Sequence, residues 1–225
     1  MLGTLINAGA VIIGCIIGLL IHSRLPKNII KIVFQGIGLF ILFLGIQMAD
    51  KTNNFLIMIF SIVLGSIIGE LIDIDKLVNI FSEWLKKKVK SKNDNFSDGF
   101  TTAFILFCLG SMTILGAFEE GLGGAPNLLL AKSLMDGFSA IALSASLGIG
   151  VIFSVIPLLI YQGGLTLFAA SLQDFFTDII INELTAVGGL LMIGLSMNIL
   201  EIKKIKILNM IPSLIIVVIL AYLFL

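Results

Sequence analysis

Apolar residues in this chain neither alternate nor stripe; they run. Continuous apolar stretches cover residues 2 to 21, 29 to 48, 54 to 72, 99 to 118, 128 to 147, 149 to 171, 182 to 200 and 207 to 225. Each is close to the roughly 20 residues that a helix needs to cross a bilayer's hydrocarbon core. In lipid such a segment satisfies its backbone groups internally as a helix. The pattern predicts an all-α, polytopic transmembrane helix bundle of eight spans, forming one domain over residues 1–225. Gly121, Gly123, Gly124, Pro126, Gly148 and Gly150 punctuate the fourth to sixth stretches. A re-entrant hairpin there, with seven spans in all, is the competing count.

One segment departs from the pattern. Between residues 74 and 90, Ile74, Leu77, Val78, Phe81, Trp84, Leu85 and Val89 recur at helical spacing opposite Asp75, Lys76, Glu83 and Lys87. This predicts an amphipathic helix lying on the membrane surface, anchored by the sole tryptophan and by lysines suited to anionic headgroups.

Composition agrees: 58% of the 225 residues are apolar and 12% charged, and the mean hydropathy is +1.15. Soluble domains carry about 25% charged residues. The lipid bilayer is therefore the first expected partner, no length is left for a folded soluble domain, and a net charge of zero gives no reason to expect nucleic acid. Cys15 and Cys108 both sit in apolar runs, as small buried residues, and no disulfide, metal or cofactor pattern accompanies them. No basic stretch precedes the first apolar run, so it reads as a retained span.

Charge placement orients the bundle. Arg24, Lys27 and Lys31 follow the first span; Lys76, Lys86, Lys87, Lys88, Lys90 and Lys92 follow the third; Lys203, Lys204 and Lys206 follow the seventh. Short basic loops stay cytoplasmic. With eight spans these clusters share one face, both termini lie outside, and only Lys51 and Lys132 fall on the far side, with Asp50, Glu119, Glu120, Asp174, Asp178 and Glu183. Seven spans would split the lysine clusters between the two faces.

A shift of 151 residues aligns Ile29, Ile30, Gly38, Leu39 and Leu44 with identical residues at 180, 181, 189, 190 and 195. It would superpose residues 1–72 on 152–225, five spans apart and so inverted, flanking a central segment 99–147. Inverted repeats are characteristic of transporters.

Polar residues inside the apolar runs are the candidates for function. Asp136 lies about nine residues into the fifth span, roughly 13 Å deep at 1.5 Å per residue. Ser133, Asp136, Gly137, Ala140 and Ser144 share one face of that span, a stripe suited to a permeation path; Lys132, four residues before Asp136, is positioned to pair with it and to snorkel outward. In the sixth span, Pro157 and then Tyr161-Gln162-Gly163-Gly164 predict a kinked or opened helix with exposed backbone groups. Ser111 and Thr113 add hydroxyls to the fourth span. Glu119 and Glu120 would form a cation-gathering entrance or, as the plainer reading, a solvated loop. Asn7, Gln35, Gln47 and Gly188-Gly189 are read as helix packing, while Gly14/Gly18 and Gly65/Gly69 fit close helix contact, within the chain or in a homo-oligomer. Glu70, Asp73 and Asp75 are assigned no special role.

Gly110, Gly116, Gly121, Lys132, Ser133, Asp136, Gly137, Tyr161, Gln162 and Gly163, taken together, resemble the pattern of the YqgA/YdfK type of bacterial inner-membrane proteins, a domain-of-unknown-function family (554), across essentially the whole chain. Ser111 stands where the resemblance leads one to expect proline. The resemblance implies a bacterial plasma-membrane protein and supplies no substrate.

With one histidine, His22, and no phosphate-binding loop, zinc-protease motif or nucleophile with an evident base, an enzyme is not expected. The leading expectation is a secondary transporter or channel for an ion or small polar solute, with Asp136 as its titrating or cation-binding group. The rival is a non-transporting scaffold or sensor acting through the amphipathic segment.

Overall fold

The computed structural model of the protein describes residues 1–22, 26–91, 93–108, 111–172 and 176–225. Arg24, Lys92, Gly110 and Asp174, used above, lie outside the described residues. Among those described there are helices and turns and no strand: α1 (Leu2–His22), α2 (Lys27–Ala49), α3 (Phe55–Ile72), α4 (Ile74–Lys88), α5 (Phe96–Cys108), α6 (Ser111–Gly121), α7 (Asn127–Leu147), α8 (Val155–Leu172), α9 (Asp178–Ile199) and α10 (Ser213–Phe224). Short 3-10 turns, Ile149–Ser154 and Ile207–Met210, lead into α8 and α10. The chain is an all-α membrane helix bundle.

Among the described residues, six segments are long and apolar enough to cross a membrane: Leu2–Ile21, Phe55–Ile72, Asn127–Leu147, Ile149–Ser171, Asp178–Ile199 and Ile207–Phe224. The apolar part of α2, Gln35–Ala49, is shorter. The fourth apolar stretch, where a re-entrant hairpin is the competing reading, divides into α5 and α6, which reach spanning length only as a pair and are bent by 58°. Thr113 Oγ1 of α6 donates to the Phe107 carbonyl of α5 at 3.2 Å, so a buried hydroxyl serves one of the carbonyls that a helix end leaves without a partner.

The sixth stretch corrects a second expectation. α8 runs unbroken from Val155 to Leu172 through Tyr161, Gln162, Gly163 and Gly164. Pro157 falls in its first turn, where the missing amide would have had no intrahelical partner, and so it breaks nothing. The irregular backbone lies earlier, in the 3-10 turn Ile149–Ser154.

Two compact units emerge, Met1–Ile37 with Ser82–Gln173, and Gly38–Phe81 with Asp174–Leu225. In the first, α1 runs parallel to α7: a methyl on Gly14 would strike the Gly137 carbonyl, and one on Gly18 the Ile141 carbonyl. α8 runs antiparallel to α1, since Thr4 meets Thr166 while Asn7 meets Gln162. Ala8, Val11, Cys15, Phe107, Leu143, Val155 and Leu158 belong to one buried apolar core beneath these contacts.

In the second unit α3 and α10 are antiparallel, with Gly65 against Ser213 and Gly69 against Asn209. Gly45 of α2 lies against Gly189 of α9, and Gly38 against Leu200 just beyond α9's end, again antiparallel. Both small-residue pairs singled out from the sequence thus meet the chain's own helices, and because the glycines put no side chain into these crossings the backbones approach closely.

α4 carries the expected amphipathic pattern. Leu77, Ile80, Phe81, Trp84 and Val89 just beyond it are exposed while Leu85 is buried, and Lys88 Nζ lies 4.8 Å from the Trp84 ring centre, a cation–π distance.

Candidate functional site

The polar residues of the first unit meet in one place. Asp136 on α7 and Asn7 on α1 face each other because the Gly14 and Gly18 contacts hold the two helices together in parallel register. Asn7 Nδ2 donates to Asp136 Oδ2 at 3.0 Å and to Gln162 Oε1 on α8 at 3.1 Å. Gln162 Nε2 donates to Thr4 Oγ1 at 3.2 Å. Thr4 and Thr166 hydroxyls lie 3.3 Å apart, and Thr166 Oγ1 also donates to the Gln162 carbonyl at 3.0 Å. Lys132 Nζ, one turn before Asp136, donates to Asp136 Oδ2 and pairs with it.

Lys132 is only 5% exposed and Asp136 7%, while Asn7, Thr4 and Gln162 are fully buried. The lysine therefore pairs as the sequence allowed but does not snorkel outward; the ammonium stays inside the bundle, held by the carboxylate. A buried charge of either sign is tolerable only when paired and hydrogen-bonded, and here both conditions are met. Asn7 Oδ1 has no hydrogen-bond partner among the described residues. Its amide cannot be turned over, because Nδ2 already faces two acceptors. A buried acceptor without a donor is unusual in folded proteins and marks a point where a hydrogen-bond donor from outside the chain would be satisfied.

The other candidates distribute differently. Ser133 donates to the Leu129 carbonyl at 2.6 Å, which is local to its own helix. Gly137, Ala140 and Ser144 continue the stripe, but Gly14 and Gly18 of α1 press against it, so its lower part is helix contact. Tyr161 packs against the apolar core, and Gly163 sits near Met1 and Thr4. Thr113 holds the α5–α6 bend. Ser111 opens α6, with its side chain outside what is described.

Glu119 and Glu120 do not form a free acidic pair. Glu119 Oε2 accepts from Leu128 N at 3.0 Å, at the start of α7. Glu120 Oε1 accepts from Gly3 N at 2.9 Å, at the start of α1. First-turn amides lack intrahelical partners and carry the positive end of the helix dipole, so each carboxylate caps a helix.

Two arrangements in the second unit were missed. Glu183, placed by the charge pattern on the far side of the membrane from the lysine clusters and given no role, is fully buried. It accepts from Thr52 Oγ1 at 2.6 Å, Asn53 N at 2.7 Å and Asn54 N at 3.1 Å, and Asn54 in turn caps α3 through Leu56 N and Ile57 N. Glu70, assigned no role, accepts from Lys206 Nζ at 2.5 Å and Asn209 Nδ2 at 2.6 Å, while Asn209 Oδ1 accepts from Asp75 N at 2.6 Å. The hydrogen bond and charge of Glu70 hold the Lys206 ammonium above its ordinary pKa. The only available signal for Glu183 was an acid one turn inside an apolar helix; the partners come from a distant loop. Among the described residues no group of three or more histidine, cysteine and carboxylate side chains is placed to hold a metal.

Apolar helices of spanning length around a buried ion pair define a polytopic membrane protein. The chain belongs to the family described as "Protein of unknown function (DUF554)", whose model matches residues 2–222. It is 34% identical over 224 residues to "Uncharacterized membrane protein YdfK" of Bacillus subtilis (strain 168), covering 96% of this chain and 93% of that protein. It is 35% identical over 219 residues to "Uncharacterized protein YqgA" of Escherichia coli (strain K12), covering 95% and 93%. No solved structure matches it.

Proposed function

We propose that the protein is a small secondary transporter or channel for an ion or small polar solute, and that the solute passes Asp136. One observation carries this reading: a Lys132–Asp136 pair sits inside apolar helices, bonded through Asn7 to Gln162 and with Asn7 Oδ1 left without a partner among the described residues. Ionisable residues inside spans are expensive to keep and gather at ion and solute pathways. The path expected between the fourth, fifth and sixth spans shifts toward α1, α7 and α8, because α1 supplies Asn7 and Thr4 whereas Thr113 is taken up by the α5–α6 bend. An ion pathway, not catalysis, is the role read here.

The membrane is a bacterial plasma membrane, with eight spans and both termini outside. Helix direction supports the count. α1 is parallel to α7 and antiparallel to α8, which requires an odd number of crossings between α1 and α7; α2, α3 and the bent α5–α6 pair supply three. A re-entrant α5–α6 would reverse both relations. The basic clusters then share the cytoplasmic face, and α4 lies in the anionic leaflet there.

Flux through the purified protein in vesicles, followed with pH- and cation-sensitive dyes, tests the reading, with Asp136→Asn run alongside. Flux that the substitution abolishes supports it. No flux for any ion tested would favour the scaffold reading, for which the exposed apolar face of α4 would be the contact surface.

A further inference from the structure

A shift of 151 residues carries α1 onto 153–173, α2 onto 178–200 and α3 onto 206–223, against observed elements α8 (Val155–Leu172), α9 (Asp178–Ile199) and the run Ile207–Phe224 of the last 3-10 turn with α10. Each helix also packs antiparallel on its own shifted mate: α1 on α8, α2 on α9, α3 on α10. Five chance identities would not bring about that pairing. Antiparallel mates are what an inverted repeat produces, because the second copy crosses the membrane in the opposite sense.

An antiparallel pair of this kind has two equivalent halves. In α1 and α8 they differ in chemistry. One half holds Thr4, Asn7, Gln162 and Thr166, which bond to one another. The shift carries these four onto Val155, Leu158, Val11 and Cys15. All four of those are buried in the apolar core, so every polar member of one half has an apolar counterpart in the other.

We infer that the chain is an inverted repeat of three helices whose α1–α8 crossing is half site and half seal: Thr4, Asn7, Gln162 and Thr166 form the solute-accessible half, and Val11, Cys15, Val155 and Leu158 the barrier that closes it. The inference rests on the transport reading for what the polar half admits. Asn7 is five residues into α1, about 8 Å from its start, so the polar half opens toward the face on which α1 begins. The seal lies deeper. Water and a donor-bearing or cationic solute would reach Asn7 Oδ1 from that side and stop at Val11 and Leu158, whose apolar side chains offer nothing to replace a hydration shell.

The test uses the two native cysteines and needs no substrate. In membranes, full-length protein carrying Cys108→Ala keeps Cys15 as the sole thiol, in the seal; protein carrying Cys15→Ala, Cys108→Ala and Thr166→Cys places one thiol in the polar half. Both are treated with a charged, water-soluble methanethiosulfonate reagent and scored by protection from later labelling after denaturation. Thr166→Cys should react at least tenfold faster than Cys15. Equal reaction of the two, or an inert Thr166→Cys in protein that elutes like wild type, would overturn the proposal. A second variant, Leu158→Asn with Val11→Gln, recreates the polar pair in the sealed half and should raise ion leak through reconstituted protein; unchanged leak in a correctly eluting variant would overturn the barrier role. The thiol pattern without any flux would sink the transport reading and leave the half-polar crossing standing.

Discussion

Asn7 and Asp136, 129 positions apart in the chain, are joined by a 3.0 Å hydrogen bond between fully or nearly fully buried side chains, and the same carboxylate oxygen receives the ammonium of Lys132. Three spans thus share one carboxylate-centred network, because Asn7 passes the connection on to Gln162.

Removing one charge of that pair strands the other. Asp136→Asn leaves Lys132 buried without its counter-ion, and breaking such pairs typically costs about 3 to 5 kcal/mol. The substitution should lower the thermal unfolding midpoint in detergent clearly. Lys132→Met added to Asp136→Asn should recover much of the loss, which the midpoints of the single and double variants will show.

Asn7→Leu removes the bridge but no charge. Interhelical side-chain bonds inside membrane proteins average about 0.6 kcal/mol and reach about 1.7, so the unfolding midpoint should move little. Flux should fall far more than stability, and comparison of the two in one preparation checks this.

Gly14 and Gly18 meet backbone carbonyls of α7, whereas nothing lies within 4 Å of a methyl placed on Gly9. Gly14→Ala should therefore destabilise by about 1 to 3 kcal/mol, as overpacking does, and Gly9→Ala should be neutral or slightly stabilising, since alanine is the better helix former. Thermal unfolding of the two variants in detergent reads the contrast.

Glu183→Gln replaces Oε2, the acceptor of the Thr52 hydroxyl, with an amide donor and leaves only a neutral oxygen to accept from Asn53 N and Asn54 N. The lost bonds should cost about 1 to 3 kcal/mol. Limited proteolysis or amide exchange at 50–54 should show the connection between α2 and α3 loosening.

Helix extents were legible because lipid leaves apolar length as the main variable: the first span was expected at 2 to 21 and is Leu2–His22, and the fifth at 128 to 147 and is Asn127–Leu147. The pairing of Lys132 with Asp136 was equally readable, being one turn of one helix. What could not be read was which face of each helix meets which neighbour. In uniformly apolar helices, lipid-facing and buried sides look alike, so Asn7 reads as a packing residue and Glu183 only as an acid on the outer side. Pro157 misled for a different reason: the start of α8, set by the preceding 3-10 turn, decides whether proline breaks a helix or begins one.

The most direct test of the Asp136 path compares flux of wild type and Asp136→Asn in vesicles at matched protein incorporation, with Lys132→Met/Asp136→Asn as the refolded-core control. Transport by wild type that is lost in both variants, although the double variant regains stability, is the predicted result. Undiminished transport by a folded Asp136→Asn protein would contradict it.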